Sequence, residues 1–301
     1  MHDIPDSSHP PHTRSRIAAF MHCYYPDLAP DLASVAVRMP APCDIFISTD
    51  NSEKADLIHN AFHARHLAPQ IRIFPNRGWD IAAFLVGFAD IMPGYDLCLK
   101  IHGKKSPHYV YGDMWREFLF AELAHDAAYI QNIVARFADD PSLGMLAPAH
   151  WHRKARVCLP SPNHALLIPL LARMDIHLTP ESSIDFPAGS MFWCRTQALA
   201  PLLNLGLDWD DFEPTDADAW DFSPAHALER AFFYSCEKSG LRWEYIPKYS
   251  SFTGNPYSPA NCLAALFFLS RKFVHAIKTG GLRYSMHKTK KYLRKHIKPS
   301  L

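Results

Sequence analysis

Between positions 17 and 101 four short apolar runs, 17–22, 44–48, 71–74 and 97–101, alternate with three stretches of helical spacing, 28–38, 53–65 and 81–92. Strand then helix, repeated, requires a crossover between strands, which makes them parallel and lays helices over the sheet. The pattern therefore predicts an α/β fold: a mostly parallel sheet with helices on both faces. The turns agree with it. Thr49-Asp50-Asn51-Ser52 supplies short oxygen-bearing side chains that cap a helix well, immediately before the run 53–65.

In such a sheet ligands bind beyond the carboxyl ends of the strands, so the loops that leave those ends are where function is sought. The fourth strand runs directly into Lys100, His102, Lys104 and Lys105, four cationic or titratable residues within six positions. Three ammonium groups and an imidazole suit a diphosphate; a solvated charged loop is the competing reading. The third strand leads into Asn76, Arg77, Gly78, Trp79 and Asp80. Gly78 permits close backbone approach and Arg77 offers paired donors to phosphate, or holds a neighbouring Asp in a structural ion pair. Asp80 either caps the next helix or meets a ligand.

Further along, 111–137 reads as one helix, 143–147 as a strand and 163–174 as a helix. His150 and His152 lie in a polar aromatic loop, but spacing places no further metal ligand beside them. The segment 186–193 (Phe-Pro-Ala-Gly-Ser-Met-Phe-Trp) turns on small residues. Gly189 and Ser190 leave room for a ligand beside the backbone, and residues 191–193 bury their bulk in the sheet. Pro224 suits the first turn of a helix over 225–238, with Asp221 or Ser223 near its N-cap. On that helix His226, Glu229 and Arg230 share a face. Asp221 is a cap or a general base; Glu229 is the second candidate base, or the partner of Arg230.

Charge narrows the classes. The 31 Lys and Arg nearly cancel the 30 Asp and Glu, yet 11 of the basic residues lie after Glu244, where no acidic residue follows. An acidic body with a basic tail results. That tail, with Leu263, Leu266, Phe267 and Phe273 among its cations, reads as an amphipathic surface anchor; nucleic-acid binding and a solvated tail are the alternatives. The seven widely spaced cysteines contain no CxxC pair and read as reduced thiols. Residues 1–16 read as a disordered leader without the apolar core of a signal peptide, and no apolar run reaches the length of a membrane span.

Four segments in order, 76–82, 100–106, 186–193 and 225–230, carry a resemblance to the rhamnan synthesis protein F family of bacterial polysaccharide glycosyltransferases, running from about position 17 to 245. Trp79, where a second Arg is expected, Gly103, where Thr is more usual, and Asp221-Phe222-Ser223-Pro224 depart from the family pattern. The resemblance implies a GT-A-like domain, taken as 17–250, and the residues themselves make 251–301 a basic amphipathic helical tail. It implies transfer of a sugar, rhamnose or similar, from a nucleotide-diphosphate sugar to a polysaccharide or lipid-linked glycan acceptor. A metal-dependent enzyme of that fold is expected to place Asp-x-Asp at the end of the central strand. Lysines stand there instead, and Asp208-Trp209-Asp210 falls in a later acidic loop. No divalent metal or other cofactor is therefore expected. The expected site sets Asn76, Arg77, Gly78, Asp80, Lys100, His102, Lys104, Lys105, Gly189 and Ser190 on the donor, with Asp221 or Glu229 as base of an inverting transfer and His226 and Trp193 on the acceptor side. A non-catalytic nucleotide-sugar or glycan-binding component of an assembly complex is the alternative. The expected location is cytoplasmic, with residues 263–298 on the anionic inner face of the bacterial plasma membrane, and no nucleic acid as partner.

Overall fold

The computed structural model describes residues 15–103, 105, 112–149, 162–215 and 223–246. The leader through residue 14, Lys104, the loop 150–154, Asp221 and the tail 251–301 lie outside them. The chain divides into two compact units, one of residues 1–103 and 119–249, the other of 104–118 and 250–301. In the second, the ion pair of Arg116 with Asp113 at 2.7 Å opens a helix.

The first unit follows the predicted alternation. β1 (Ile17–His22), α1 (Ala29–Ala36), β2 (Cys43–Thr49), α2 (Ser52–His63), β3 (Gln70–Ile73), α3 (Trp79–Leu85) and β4 (Leu97–His102) succeed one another. Asn51 caps α2 by accepting the Lys54 amide at 2.9 Å, which answers the cap signal in 49–52. α3 is shorter than the apolar spacing predicts, closing at Leu85.

Where one helix is expected over 111–137 there are two, α4 (Gly112–Ala124) and α5 (Ala127–Asp139). Asp126 is the reason. Its carboxylate accepts the Tyr129 amide at 2.8 Å, an N-cap that restarts the helix. β5 (Leu143–Pro148), α6 (Pro162–Ala172), β6 (Phe192–Arg195), α7 (Ala200–Leu203), α8 (Pro224–Lys238) and β7 (Arg242–Ile246) complete the unit.

The seven strands lie in the order β3-β2-β1-β4-β6-β5-β7, and only β6 runs antiparallel to its neighbours. β4 and β5 are buried at every position and β1 at all but its last, as parallel strands covered on both faces must be. Phe20, Phe46, Phe84, Phe88, Phe192 and Phe232 form one aromatic core between the sheet, α3 and α8. Met21, Ile47 and Leu99 alternate to the opposite face and are equally buried. β7 is not assigned by the sequence reading, although Arg242-Trp243-Glu244-Tyr245 alternates as an edge strand does. Its Trp243 stacks on Phe233 at 3.9 Å, while Arg242 and Glu244 tie into Asp140 and Arg136. Among the described residues no helix is long and apolar enough to cross a membrane, and the described cysteines are free thiols.

Candidate functional site

The strand order reverses between β1 and β4, so the crevice outside their carboxyl ends is where a ligand is expected. Two left-handed turns meet there. In the first, Gly78 (φ 61°) and Trp79 (φ 50°) swing the chain from the loop into α3. A Cβ on Gly78 would stand 2.4 Å from the Phe212 ring, so no larger residue fits. In the second, Gly189 (φ 92°) and Ser190 (φ 48°) bend the chain just ahead of β6.

Asp80, the second residue of α3, joins the two turns. It does not cap the helix, since Gly78 occupies the N-cap. Its Oδ2 accepts from Lys100 Nζ at 2.5 Å and from Ser190 Oγ at 2.5 Å. Lys100 also donates to the Ser190 carbonyl at 2.7 Å and to Ser190 Oγ at 3.2 Å. The Lys100 side chain is 2% exposed, with its ammonium 5.3 to 6.0 Å from the rings of Phe84, Phe232 and Phe192. A buried cation needs a near partner and filled hydrogen bonds, and here it has both. This corrects the sequence expectation: an ammonium has three N–H donors, and Asp80 and Ser190 take them, so Lys100 orders the site from beneath instead of touching a diphosphate.

The second turn is clamped from both sides. His102 Nε2 meets the Gly189 carbonyl at 2.9 Å, and the Gly189 amide donates to Glu229 Oε1 at 3.0 Å. Glu229 Oε2 lies 3.6 Å from Arg230. Glu229 is thus a holder of the turn, which differs from the base the sequence reading offered.

Burial alone would raise the Asp80 pKa, but His102 and Lys100, with hydrogen bonds from Lys100 and Ser190, hold it well below the usual carboxylate range. Its charge is therefore permanent at physiological pH. His22, the last residue of β1, is pushed down to about 4 by desolvation, which outweighs the upward pull of Asp80. Its Nδ1 lies 2.9 Å from Ser48 Oγ. His22, Ser48, Asp80 and Lys100 line one small cleft with Phe20, Phe84 and Phe88. The cleft is narrow, with a cavity volume of about 10 Å³, which is roughly the room of one water. The sequence reading missed His22 and Ser48. Each stands at or next to the carboxyl end of a predicted strand, and that position was the available signal.

The remaining candidates are placed as follows. Arg77 donates to the carbonyls of Trp209 at 3.2 Å and Phe212 at 3.1 Å and pairs with Asp210 at 3.1 Å. Asn76 exchanges hydrogen bonds with Thr215 at 2.9 and 3.3 Å. These contacts, with Arg77 using Nη1 throughout, are those of the structural reading: Asn76 and Arg77 brace their loop across to 209–215. Asp208 caps a short 3₁₀ turn, so the later Asp-x-Asp serves local structure. Trp193 is fully buried and donates to the Leu123 carbonyl at 2.9 Å; it packs the core and does not face an acceptor. His226 lies 4.8 Å from Trp79, ring to ring, with its Nδ1 2.8 Å from Ser223 Oγ. Trp79, the residue that departs from the family pattern, is thus the packing partner of His226. Lys105 is partly exposed.

A family model described as rhamnan synthesis protein F matches residues 3–241. A curated protein of Xanthomonas campestris pv. campestris strain B100, named Uncharacterized protein WxcX, is 31% identical over 238 residues, covering 78% of this chain and 33% of its own length. Its namesake in a second strain of that pathovar matches to the same extent. The chain therefore spans about a third of the length of the curated relatives it matches.

Proposed function

This chain belongs to the rhamnan synthesis protein F family, and from that premise we propose that it is a GT-A-like glycosyltransferase of cell-surface polysaccharide synthesis. The observation that carries the proposal is the permanently charged knot of Asp80, Lys100 and Ser190 at the point where the sheet order reverses. A sheet of this kind places its ligand there, and charges held in a dry frame are the means by which an enzyme favours a transition state that develops charge.

In the proposed reaction an acceptor hydroxyl attacks the anomeric carbon of a nucleotide-diphosphate sugar, rhamnose or similar. A new C–O bond forms, the anomeric C–O bond breaks with its electrons going to the diphosphate, and the hydroxyl proton passes to a carboxylate base. Asp221 is the proposed base, with inversion at the anomeric carbon. Asp80, Gly189 and Ser190 border the donor sugar. Lys104 and Lys105 follow Gly103 directly in the chain, and the proposal gives them the charge on the leaving diphosphate in place of a divalent metal. Residues 263–298 are proposed to contact anionic membrane, which flotation with and without anionic lipid tests.

The test is a transfer assay with a panel of nucleotide sugars and glycan acceptors, run in EDTA. Transfer is expected to persist in EDTA and to fall at least a hundredfold in Asp221→Asn and in Lys104→Ala/Lys105→Ala; loss of wild-type transfer in EDTA, or full transfer in these variants, would contradict the reading. The commitment of Glu229 to the Gly189 amide favours one second reading, a binding component without turnover. Binding of a nucleotide sugar with no transfer to any acceptor would select it.

A further inference from the structure

Two aromatic rings stand at the carboxyl edge of the sheet and take no part in the Asp80 knot. Trp79 is the first residue of α3, which leaves the loop after β3 at that edge. α8 ends just before β7, which runs parallel to β5, so the first turn of α8 stands at the same edge and carries His226 there. The two rings meet at 4.8 Å with their planes 69° apart, edge to face. Such a contact covers at most one face of the indole. Trp79 is half-buried, its backbone lies in the left-handed region (φ 50°), and its amide donates to Thr215 Oγ1 at 3.4 Å. A bulky residue adopts that conformation at a cost that plain core packing does not call for. Its indole N–H meets no acceptor among the described residues. By contrast Trp193 donates to the Leu123 carbonyl and Trp243 to Glu237.

A flat aromatic face with a free N–H at its rim complements a pyranose ring, which presents an apolar face of C–H bonds and a rim of hydroxyls. The face of the indole is the negative part of its quadrupole, and the C–H bonds of the sugar bring the positive charge to meet it. We propose that Trp79 is a stacking platform for a sugar ring, with its indole N–H donating to a ring hydroxyl. His226 is a positioning residue: its ring meets the indole, and its Nδ1 lies 2.8 Å from the hydroxyl of Ser223, the N-cap of α8. The indole carries no charge, so it reads the shape of a sugar and gives no hold to a free phosphate. The inference rests on the carbohydrate ligand of the proposed function and goes beyond it in assigning the residue that selects the ring. It holds for a transferase and for a binding component alike.

The experiment is fluorine-19 NMR of the full chain labelled with fluorotryptophan, the Trp79 signal being the one absent from Trp79→Phe. The probes are methyl α-L-rhamnoside, a rhamnose trisaccharide, UDP-glucose and dTDP-L-rhamnose, with UDP, dTDP and inorganic phosphate as the sugar-free set. At least one sugar-bearing probe should shift the Trp79 signal, and the sugar-free set should leave it in place. A response to the glycoside or the trisaccharide assigns the platform to the glycan acceptor; one confined to the nucleotide sugars assigns it to the donor sugar. Trp79→Leu keeps apolar bulk against the core and removes the flat face, so it should weaken the responding sugar about tenfold, and Trp79→Tyr should restore most of that. Where transfer is measured, Trp79→Leu should raise KM for the same sugar and leave kcat unchanged, a split that a misfolded variant does not give. No shift with any sugar-bearing probe, an equal shift with UDP, dTDP or phosphate, or wild-type sugar affinity in Trp79→Leu would overturn the platform. Sugar transfer that survives such a result leaves the glycosyltransferase reading standing, and a Trp79 response without transfer removes that reading alone.

Discussion

The five residues Asn76 to Asp80 face two environments. At one end Arg77 pairs with Asp210, whose side chain is 95% exposed; at the other Asp80 pairs with Lys100, 2% exposed. Both are ion pairs on one loop, but water screens the first and is excluded from the second. An exposed pair contributes little, while a buried pair that loses one member leaves a charge with no solvent and no partner. The loop is thus anchored outward by neutral carbonyl contacts and organised inward by charge.

The sharpest break of this contrast is Asp80→Ala. It should destabilise the fold by about 3–5 kcal/mol in denaturant unfolding, and Asp80→Leu with Lys100→Met should recover most of that. Equal losses in single and double variants would mean the pair is not the organising element.

Acid unfolding should follow, with a sign set by two depressed pKa values. His22 is held near 4 in the folded chain against about 6.5 unfolded, so its stabilisation is complete above pH 6.5 and is lost as pH falls from there toward 4. The slope should be roughly 1.4 kcal/mol per pH unit, absent in His22→Asn. Asp80 is depressed too, so its share is intact above about pH 4 and is lost only below that. A flat stability profile between pH 6.5 and 4.5 would contradict the neutral His22.

Glu229→Ala leaves the Gly189 amide without its acceptor and should cost about 1–3 kcal/mol, with Glu229→Gln close to wild type because the amide oxygen still accepts. Asp210→Ala, on the exposed end, should change stability by less than about 1 kcal/mol. A cost for Asp210→Ala equal to that of Asp80→Ala would erase the distinction.

The alternation of short strands and helices was legible because period and capping are local: Asn51 and Ser223 cap where their sequence neighbours say they should. The Asp80, Lys100, His102, Gly189 and Ser190 set was also legible as a group, since each lies at a strand end or a small-residue turn. Their roles were not. Lys100 reads as a ligand cation because sequence shows its charge but not Phe84, Phe192 and Phe232 around it. Glu229 reads as a base because the Gly189 amide is 40 residues away in the chain. The helix break at Asp126 was local and readable, yet the apolar periodicity on either side masks it. His22 was hidden by belonging to an apolar strand.

The most direct measurement is the thermal stability of the wild type and of Asp80→Leu/Lys100→Met across a panel of nucleotide sugars. A ligand at 100 times its dissociation constant adds about 2.7 kcal/mol. The wild type should gain that from at least one nucleotide sugar, and the apolar double variant, folded, should gain nothing. An equal gain in both, or no gain in the wild type from any member of the panel, would contradict the buried pair as the frame of the ligand site.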